Sequence, residues 1–586
     1  MTTALQSGKP FNWPSMTGLM DQRSSPDKVP WGRWRMVLNV RAVEKGRACR
    51  REGWRRFDHQ TGHPNCDLNN QRGTTQPLRS LFLYRSLGAS AAGNRLYIGG
   101  RTEIWCARQD GGKDNVAHAL PEGGDWCFTG LNELVIACNG RVVRYQHPDL
   151  GQFQEIPSLA LIGLTSAAVC WTFEGTLFLA DLVQDGYRVG HRIVWPHVGT
   201  IDFDMGLDSI AGFKDLSPSE TVLAAVPMGT TYTIFTTHGA YRHGVVDGQF
   251  VFQQLYYSKE QDACAVSGRA IATNREIAYF MASDGIYALA PYSPSPEWSE
   301  WINQGLPKEF ISADRCLISS SAYDPSRGEL LFSSAELGKT YVVNLRQQST
   351  SIIDHGFHAM VYAELDPGES TTQWLVRSGI CTPDHVDSIY PVGSLDDPRV
   401  HPAVTGVADT CTPFDAPCDP CEVRKQFLAV SAVDNTIKAF DPLFFGREMR
   451  VGNGWQTLGY ATKFITGAMD FGTEEDKRVH KLVVNFIAPA SDVVPTARAA
   501  VGQSGSPIDP QVSMPRSARR LHLRAKNLLS PNTPGGSAPN IQPLEWTFIF
   551  DGRFIWFELE VEPTTGNAVC FSAMMAKVTK STNTTV

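Results

Sequence analysis

The chain has 586 residues, of which 42% are hydrophobic and 19% charged, with a net charge of −7. This composition excludes a disordered chain, and the length excludes one ordinary core: at roughly 150 residues per domain it makes about three or four units, unless a repeat architecture holds more in one body. No run of about 18 apolar residues exists, which excludes a transmembrane helix, and no membrane anchor is expected.

The opening, MTTALQSGKPFNWPSM, lacks a charged region followed by an apolar stretch, so it does not read as a signal peptide. Residues 1–30 read as an extended arm. The next segment is strongly basic. Between Trp31 and Phe57, nine cations (Arg33, Arg35, Arg41, Lys45, Arg47, Arg50, Arg51, Arg55, Arg56) stand against Glu44 and Glu52. The local charge of +7 leaves −14 for the remainder. Such a segment suits nucleic acid or an acidic neighbouring subunit; a solvated hairpin is the plainer alternative.

From Gly93 onward, short Leu/Ile/Tyr/Phe strands alternate with Gly, Asn and Asp turns. Long stretches with helical spacing are missing, and 51 glycines and 36 prolines suit an all-β fold. The clearest units are GNRLYIGGRTEIWCAR, LNELVIACNGRVVRY, EGTLFLAD, TTYTIFTTHGAYRH, NREIAYFMASDGIYAL and RGELLFSSAELGKTYVVNL, with a weaker VDNTIKAFD from Val433. Their central residues Leu96, Leu134, Leu177, Ile234, Ile277 and Leu330 are separated by 38, 43, 57, 43 and 53 residues. A propeller blade takes about 40–50 residues. Asn139-Gly140, His238-Gly239 and Asp284-Gly285 sit between paired strands, where tight hairpins need positive φ. One such unit cannot cover both faces of its own sheet, so about six argue for a closed β-propeller over residues 31–450. A string of β-sandwich domains is the alternative.

Thr350 to Arg424 breaks the rhythm and reads as a loop-rich insertion. It holds Cys381, Cys411, Cys418 and Cys421, the last two spaced C-x2-C. Four thiolates could hold a structural Zn²⁺, with His401 as a spare ligand; against this, Cys418 and Cys421 could be a free or oxidised pair in an exposed loop. The other cysteines of a total of 13, such as Cys106, Cys127, Cys138 and Cys170, lie in apolar runs and read as small buried hydrophobes in a reducing compartment. From about Gly452 the strands HKLVVNFIAP, LEWTFIFDG and FIWFELEVEP are separated by Pro/Ser/Gly loops, so residues 451–586 read as a C-terminal β-sandwich.

Two segments resemble β-propeller tail proteins of tailed bacteriophages, a group that includes tail nozzle, tail tubular and tail hub components. In WGRWRMVLNVRAVEKGRACRREGWRRF, an LNVR strand precedes a segment similar to the family's RPGYRRF-like strand, with Glu52 in place of the usual proline. There that strand announces the first blade. Near the C-terminus, GYATKFITGAMDFGTEEDKRVHKLVVNF and DGRFIWFELEVEP are similar to the strands that open and close the family's sandwich. The resemblance implies a virion structural protein, assembled in the host cytoplasm. It would form a ring, hexameric in the simplest case, around the DNA exit channel. Its partners would be other tail proteins, and viral DNA would pass without specific binding. A receptor- or carbohydrate-binding tail-tip propeller is the alternative function. Arg50, Arg51, Arg55 and Arg56 are the expected inter-subunit contact.

Enzymatic motifs are missing: no GxSxG, HExxH, Walker loop or GxGxxG occurs, so neither catalytic residues nor an organic cofactor is expected. His238 and His243 read as residues of an exposed turn. Trp126, Trp171, Trp195, Trp374 and Trp546 read as core or blade-interface residues rather than ligand platforms.

Overall fold

The computed structural model describes residues 11–580 apart from 58–77, 366–423, 503–541 and shorter stretches at 13–15, 17–18, 25–27, 31, 44–46, 86–93, 108–112, 148–150, 205–209, 312–315, 441–445, 452–453, 468–476, 488–495, 553 and 565–569.

The tight turns determine the local structure. Asp185-Gly186 (φ 51° and 82°) and Asp247-Gly248 (φ 50° and 76°) adopt the paired left-handed conformation that joins two strands without splaying them. Hairpins of this kind chain into antiparallel four-stranded meanders at 80–117, 127–155, 164–215, 222–257, 271–298 and 320–353. A seventh sheet takes its first three strands from Phe357–Leu365, Arg424–Ser431 and Ile437–Phe440. Its fourth strand is Trp54–Arg56, from the other end of the chain, with Trp54 opposite Phe440 and Arg56 opposite Lys438. The first strand of each sheet lies beside the first strand of the next, and Phe357–Leu365 lies beside Ser80–Tyr84. Seven blades therefore close into a ring, and apolar clusters fill the wedges between neighbours, such as Tyr97, Ile104, Trp126 and Val135 between blades 1 and 2.

The β-propeller abuts a β-sandwich made from both chain ends. One sheet pairs Trp34–Leu38 with Gly454–Thr466, which pairs with Phe554–Thr564 and then Thr496–Gly502. The other runs Val40–Val43, Arg47–Arg50, Cys570–Lys580, Lys477–Ile487, Gln542–Gly552, with Phe11–Asn12 also on Cys570–Lys580. The two sheets face each other through Trp34, Phe464, Leu559, Phe571 and Met574; the Phe464 and Phe571 rings are 5.2 Å apart. The same core continues without interruption into blade 6 through Phe332, Tyr341, Val343 and Ile352. Leu38 pairs with Ile352, so the sandwich sheet extends the outer edge of that blade.

Three sequence expectations change. Residues 34–50 belong to the sandwich rather than to a propeller beginning at residue 31, because their strands pair with the C-terminal ones. The strand expected to announce the first blade closes the last one. The rhythm does not break at Thr350: Ser349–Ile353 is the outer strand of blade 6 and Phe357–Leu365 the inner strand of blade 7. The connection that departs from the repeat is thus 366–423, between the first two strands of blade 7.

Candidate functional site: a buried ionic seam and a thiol triad

The seam between propeller and sandwich is built around Asn39. Its φ of 53° lies in the left-handed region, which asparagine tolerates better than most residues and which lets the chain step from one sandwich sheet to the other. The Asn39 side chain donates to the Ala461 carbonyl (2.8 Å) and accepts from the Asp354 amide (3.0 Å). Its backbone amide donates to the Ile352 carbonyl at 2.7 Å, and its carbonyl accepts from the Arg51 amide at 3.0 Å. One residue thereby ties together blade 6, the bridging strand Gly454–Thr466 and the basic segment.

Arg35, Arg50 and Arg51 of that segment turn inward. Arg51 grips Glu329, at the start of the second strand of blade 6, through two parallel bonds: Nη1 to Oε2 at 2.8 Å and Nη2 to Oε1 at 3.0 Å. Both residues are 1% exposed. Burial alone would lower the Arg51 pKa, but the Glu329 charge and its hydrogen bonds outweigh it and hold it above the ordinary value. Glu329, which burial alone would raise, is held below the usual carboxylate range by Arg51. Arg50, also 1% exposed, lies over the Tyr460 ring at 5.0 Å and donates to the Tyr460 carbonyl at 2.9 Å. Glu52 bonds Arg41 and lies 3.8 Å from Arg327. A cavity of about 10 Å³ beside the pair, lined by Val40, Ala48, Asn344 and Thr350 among others, has room for one water molecule at most.

This arrangement corrects the expected role of Arg50 and Arg51. Their side chains are enclosed and matched within one chain, so they are not available to a neighbouring subunit. Counting charges along a sequence cannot separate cations that face water from cations that meet a partner 278 residues away. Arg55 is half-buried in the closing strand, and the side chain of Arg56 lies outside the described residues.

Next to Arg51, Trp54 carries the ring closure. It is 1% exposed and packs against His355, Phe357, Phe440 and Tyr460, the last stacked at 6.0 Å with planes 6° apart. A side chain on Gly53 has no space: its Cβ would lie 1.7 Å from the Gly446 carbonyl oxygen.

A second cluster lies between blades 2 and 3. Cys127 and Cys138 face each other in the pairing of Cys127–Leu131 with Leu134–Cys138, and Cys170 reaches them from Leu164–Phe173. The three sulphurs all lie within 4.8 Å of one another. The Cys127 thiol donates to the Cys170 carbonyl (3.4 Å) and the Cys170 thiol to the Cys127 carbonyl (3.4 Å). Bonds from the Cys138 and Cys170 thiols hold Cys127 well below the ordinary thiol range, whereas burial pushes Cys138 and Cys170 well above it. Two residues further on, Thr129 and Thr172 bond each other at 3.1 Å, so the same two inner strands meet twice. Cys106, Cys264 and Cys316 are likewise outside any disulfide, whereas Cys49 is disulfide-bonded.

His243 is wholly buried, which corrects its reading as an exposed turn residue: it sits inside strand Gly239–Val246 among Trp171, Phe173, Phe178, Phe250 and Phe252. Trp171 Nε1 donates to its Nδ1 at 3.3 Å. His238 does lie in the turn, bonded to Thr237 and stacked on Tyr257. Trp126 and Trp171 are buried at blade interfaces, whereas Trp374 and the side chain of Trp546 fall outside the described residues. Cys381, Cys411, Cys418, Cys421 and His401 fall outside them as well.

No protein-family model and no curated protein matches the chain. Solved structures similar to it include a gluconolactonase from Xanthomonas campestris (11% identity, TM-score 0.26, covering 41% of this chain and 79% of that one). AztD from Citrobacter koseri is another (7%, 0.28, 46% and 73%), as is the β-propeller domain of Cps50 (Swd1) from Myceliophteria thermophila (10%, 0.32, 49% and 90%). Such distant likeness carries nothing about activity or ligand.

Proposed function

We propose that the chain is a non-enzymatic structural subunit of a bacteriophage tail that acts by shape, as one member of a ring around the DNA exit channel. One observation carries the reading. The residues that resemble tail propellers, Leu38 to Arg41 and Gly53 to Phe57, build the junction of propeller and sandwich and the closure of the last blade. A motif spent on joining two rigid bodies suits a protein whose work is to hold a form under load.

In this reading Arg50 and Arg51 stiffen the subunit, and contact with neighbouring subunits and other tail proteins falls to other surfaces. The net charge of −7 suits a channel wall, because phosphates need cationic partners to be retained. The test is assembly. Sedimentation of the purified chain is expected to give a discrete ring, a hexamer in the simplest case, and electron microscopy of phage particles to find it in the tail. A monomer that is missing from purified particles would overturn the proposal.

A further inference from the structure

The thiol triad has no part in the seam or in the proposed assembly. Three features separate it from cysteines that merely fill space. It gathers three sulphurs from three strands of two blades, whereas Cys106 and Cys264 sit singly in other clusters or blades. The thiols bond one another as well as two backbone carbonyls, whereas the Cys264 and Cys316 thiols each donate to a carbonyl two residues away. The surroundings are aliphatic, with Ile136, Leu164, Leu177 and Leu179 in the same cluster, so water is kept away from the sulphurs.

Geometry selects the ligand class. Three sulphurs around one ion, each at about 2.3 Å, stand about 4 Å apart. The observed separations, all within 4.8 Å, need only small side-chain rotations to reach that spacing. Thiolate donors select thiophilic ions, and an all-sulphur, dry, three-donor site suits an ion content with three ligands. We infer that Cys127, Cys138 and Cys170 form a three-coordinate thiolate site for a soft d10 cation of the Cu(I) class, which clips blade 2 to blade 3. Each thiol that ligates releases its proton to solvent, and the oxidation state of the metal does not change.

The test uses the full chain with Cys381, Cys411, Cys418 and Cys421 replaced by serine, which removes the C-x2-C pair as a competitor. Under anaerobic conditions it is titrated with Cu(I) against a chromophoric Cu(I) chelator. One equivalent is expected to leave the chelator, and X-ray absorption of the loaded protein should give three sulphurs at about 2.3 Å. Cys127→Ala, at the least buried of the three positions, should lower affinity by more than the roughly 10–100-fold typical of losing a supporting outer-shell partner. No uptake, fewer than three sulphurs, a fourth light-atom ligand, or unchanged uptake in C127A/C138A/C170A would each overturn the assignment. The absorption measurement needs no triad substitution, so it decides the matter even if the triple variant fails to fold.

Discussion

Blades 1 to 5 and blade 7 solve the same packing problem in different ways. Each of the first five is one continuous meander whose strands pair in sequence order and whose wedges are filled by aliphatic and aromatic side chains. Blade 7 is assembled from Phe357–Leu365, Arg424–Ser431, Ile437–Phe440 and the distant Trp54–Arg56. Its wedges are apolar too, around Trp54, Phe357, Phe427 and Phe440, but next to the closing strand runs the ionic seam, with Asn39, Arg50, Arg51 and Glu329 all enclosed. The contrast teaches where specificity is needed. A local hairpin finds its register from its turn, whereas a strand arriving from hundreds of residues away needs partners that fit in one way. A bidentate Arg–carboxylate pair and an asparagine bonded to three other segments supply that directionality.

The strongest way to break this contrast is to remove one half of the buried pair. Glu329→Ala leaves the Arg51 guanidinium uncompensated in the interior and should cost about 3–5 kcal/mol, read by chemical denaturation. Arg51→Met with Glu329→Leu removes both charges and should cost much less. If the double variant is as unstable as the single one, the pair is only filler. Charge-for-apolar replacement at the exposed Arg101–Glu122 pair near blade 1 should change stability by no more than about 1 kcal/mol.

Ring closure offers a comparable effect with a different readout. Trp54→Ala should cost about 3–5 kcal/mol, and because it loosens the strand that locks blade 7, hydrogen exchange should rise first along Ile437–Phe440 and only later in blades 2 to 4. Gly53→Ala should act in the same place, since its Cβ would collide with the Gly446 backbone. Uniform exchange over all seven blades would show that closure is not local to this strand.

The same contrast explains what the sequence revealed. Leu96, Leu134, Leu177, Ile234 and Leu330 each fall in the second strand of a blade, and Ile277 falls one residue before Ala278–Met281. Local hairpins leave a local period. Blade 7 left only the weaker VDNTIKAFD, around its strand Ile437–Phe440, because 366–423 separates its first two strands and its last strand precedes the first blade in sequence. The ionic seam was unreadable for the same reason: nothing near Arg51 names Glu329. The thiol triad did leave a trace. Cys127 and Cys170 are 43 residues apart, as are Thr129 and Thr172, and that interval is one blade. Cysteines repeating at the blade period, rather than in a C-x2-C pair, were the signal.

The response to acid compares the two regions under a single variable. His243 lies between blades 3 and 4, where burial lowers its pKa from the ordinary 6.5 to about 3. His355 lies at the seam, bonded to Ser431 at 2.9 Å and packed on Trp54, and burial, reinforced by Arg447 and Lys438 against the opposing Asp434, lowers it to about 3 as well. In both cases the folded protein keeps the ring neutral while the unfolded chain protonates it below about pH 6.5. Stability is therefore complete above pH 6.5 and falls with acidification, by at most about 1.4 kcal/mol per pH unit for each histidine, until the folded rings protonate near pH 3. His243→Gln keeps an acceptor for Trp171 and should remove one share of that slope, measured as the unfolding midpoint in denaturant between pH 7 and 5. His355→Gln should remove the other. If neither substitution flattens the profile, the acid response belongs to carboxylates such as Glu329, whose depressed pKa makes it lose stability in the same direction at lower pH. If only His355→Gln does so, the seam rather than the self-contained blades limits the stability of the whole molecule.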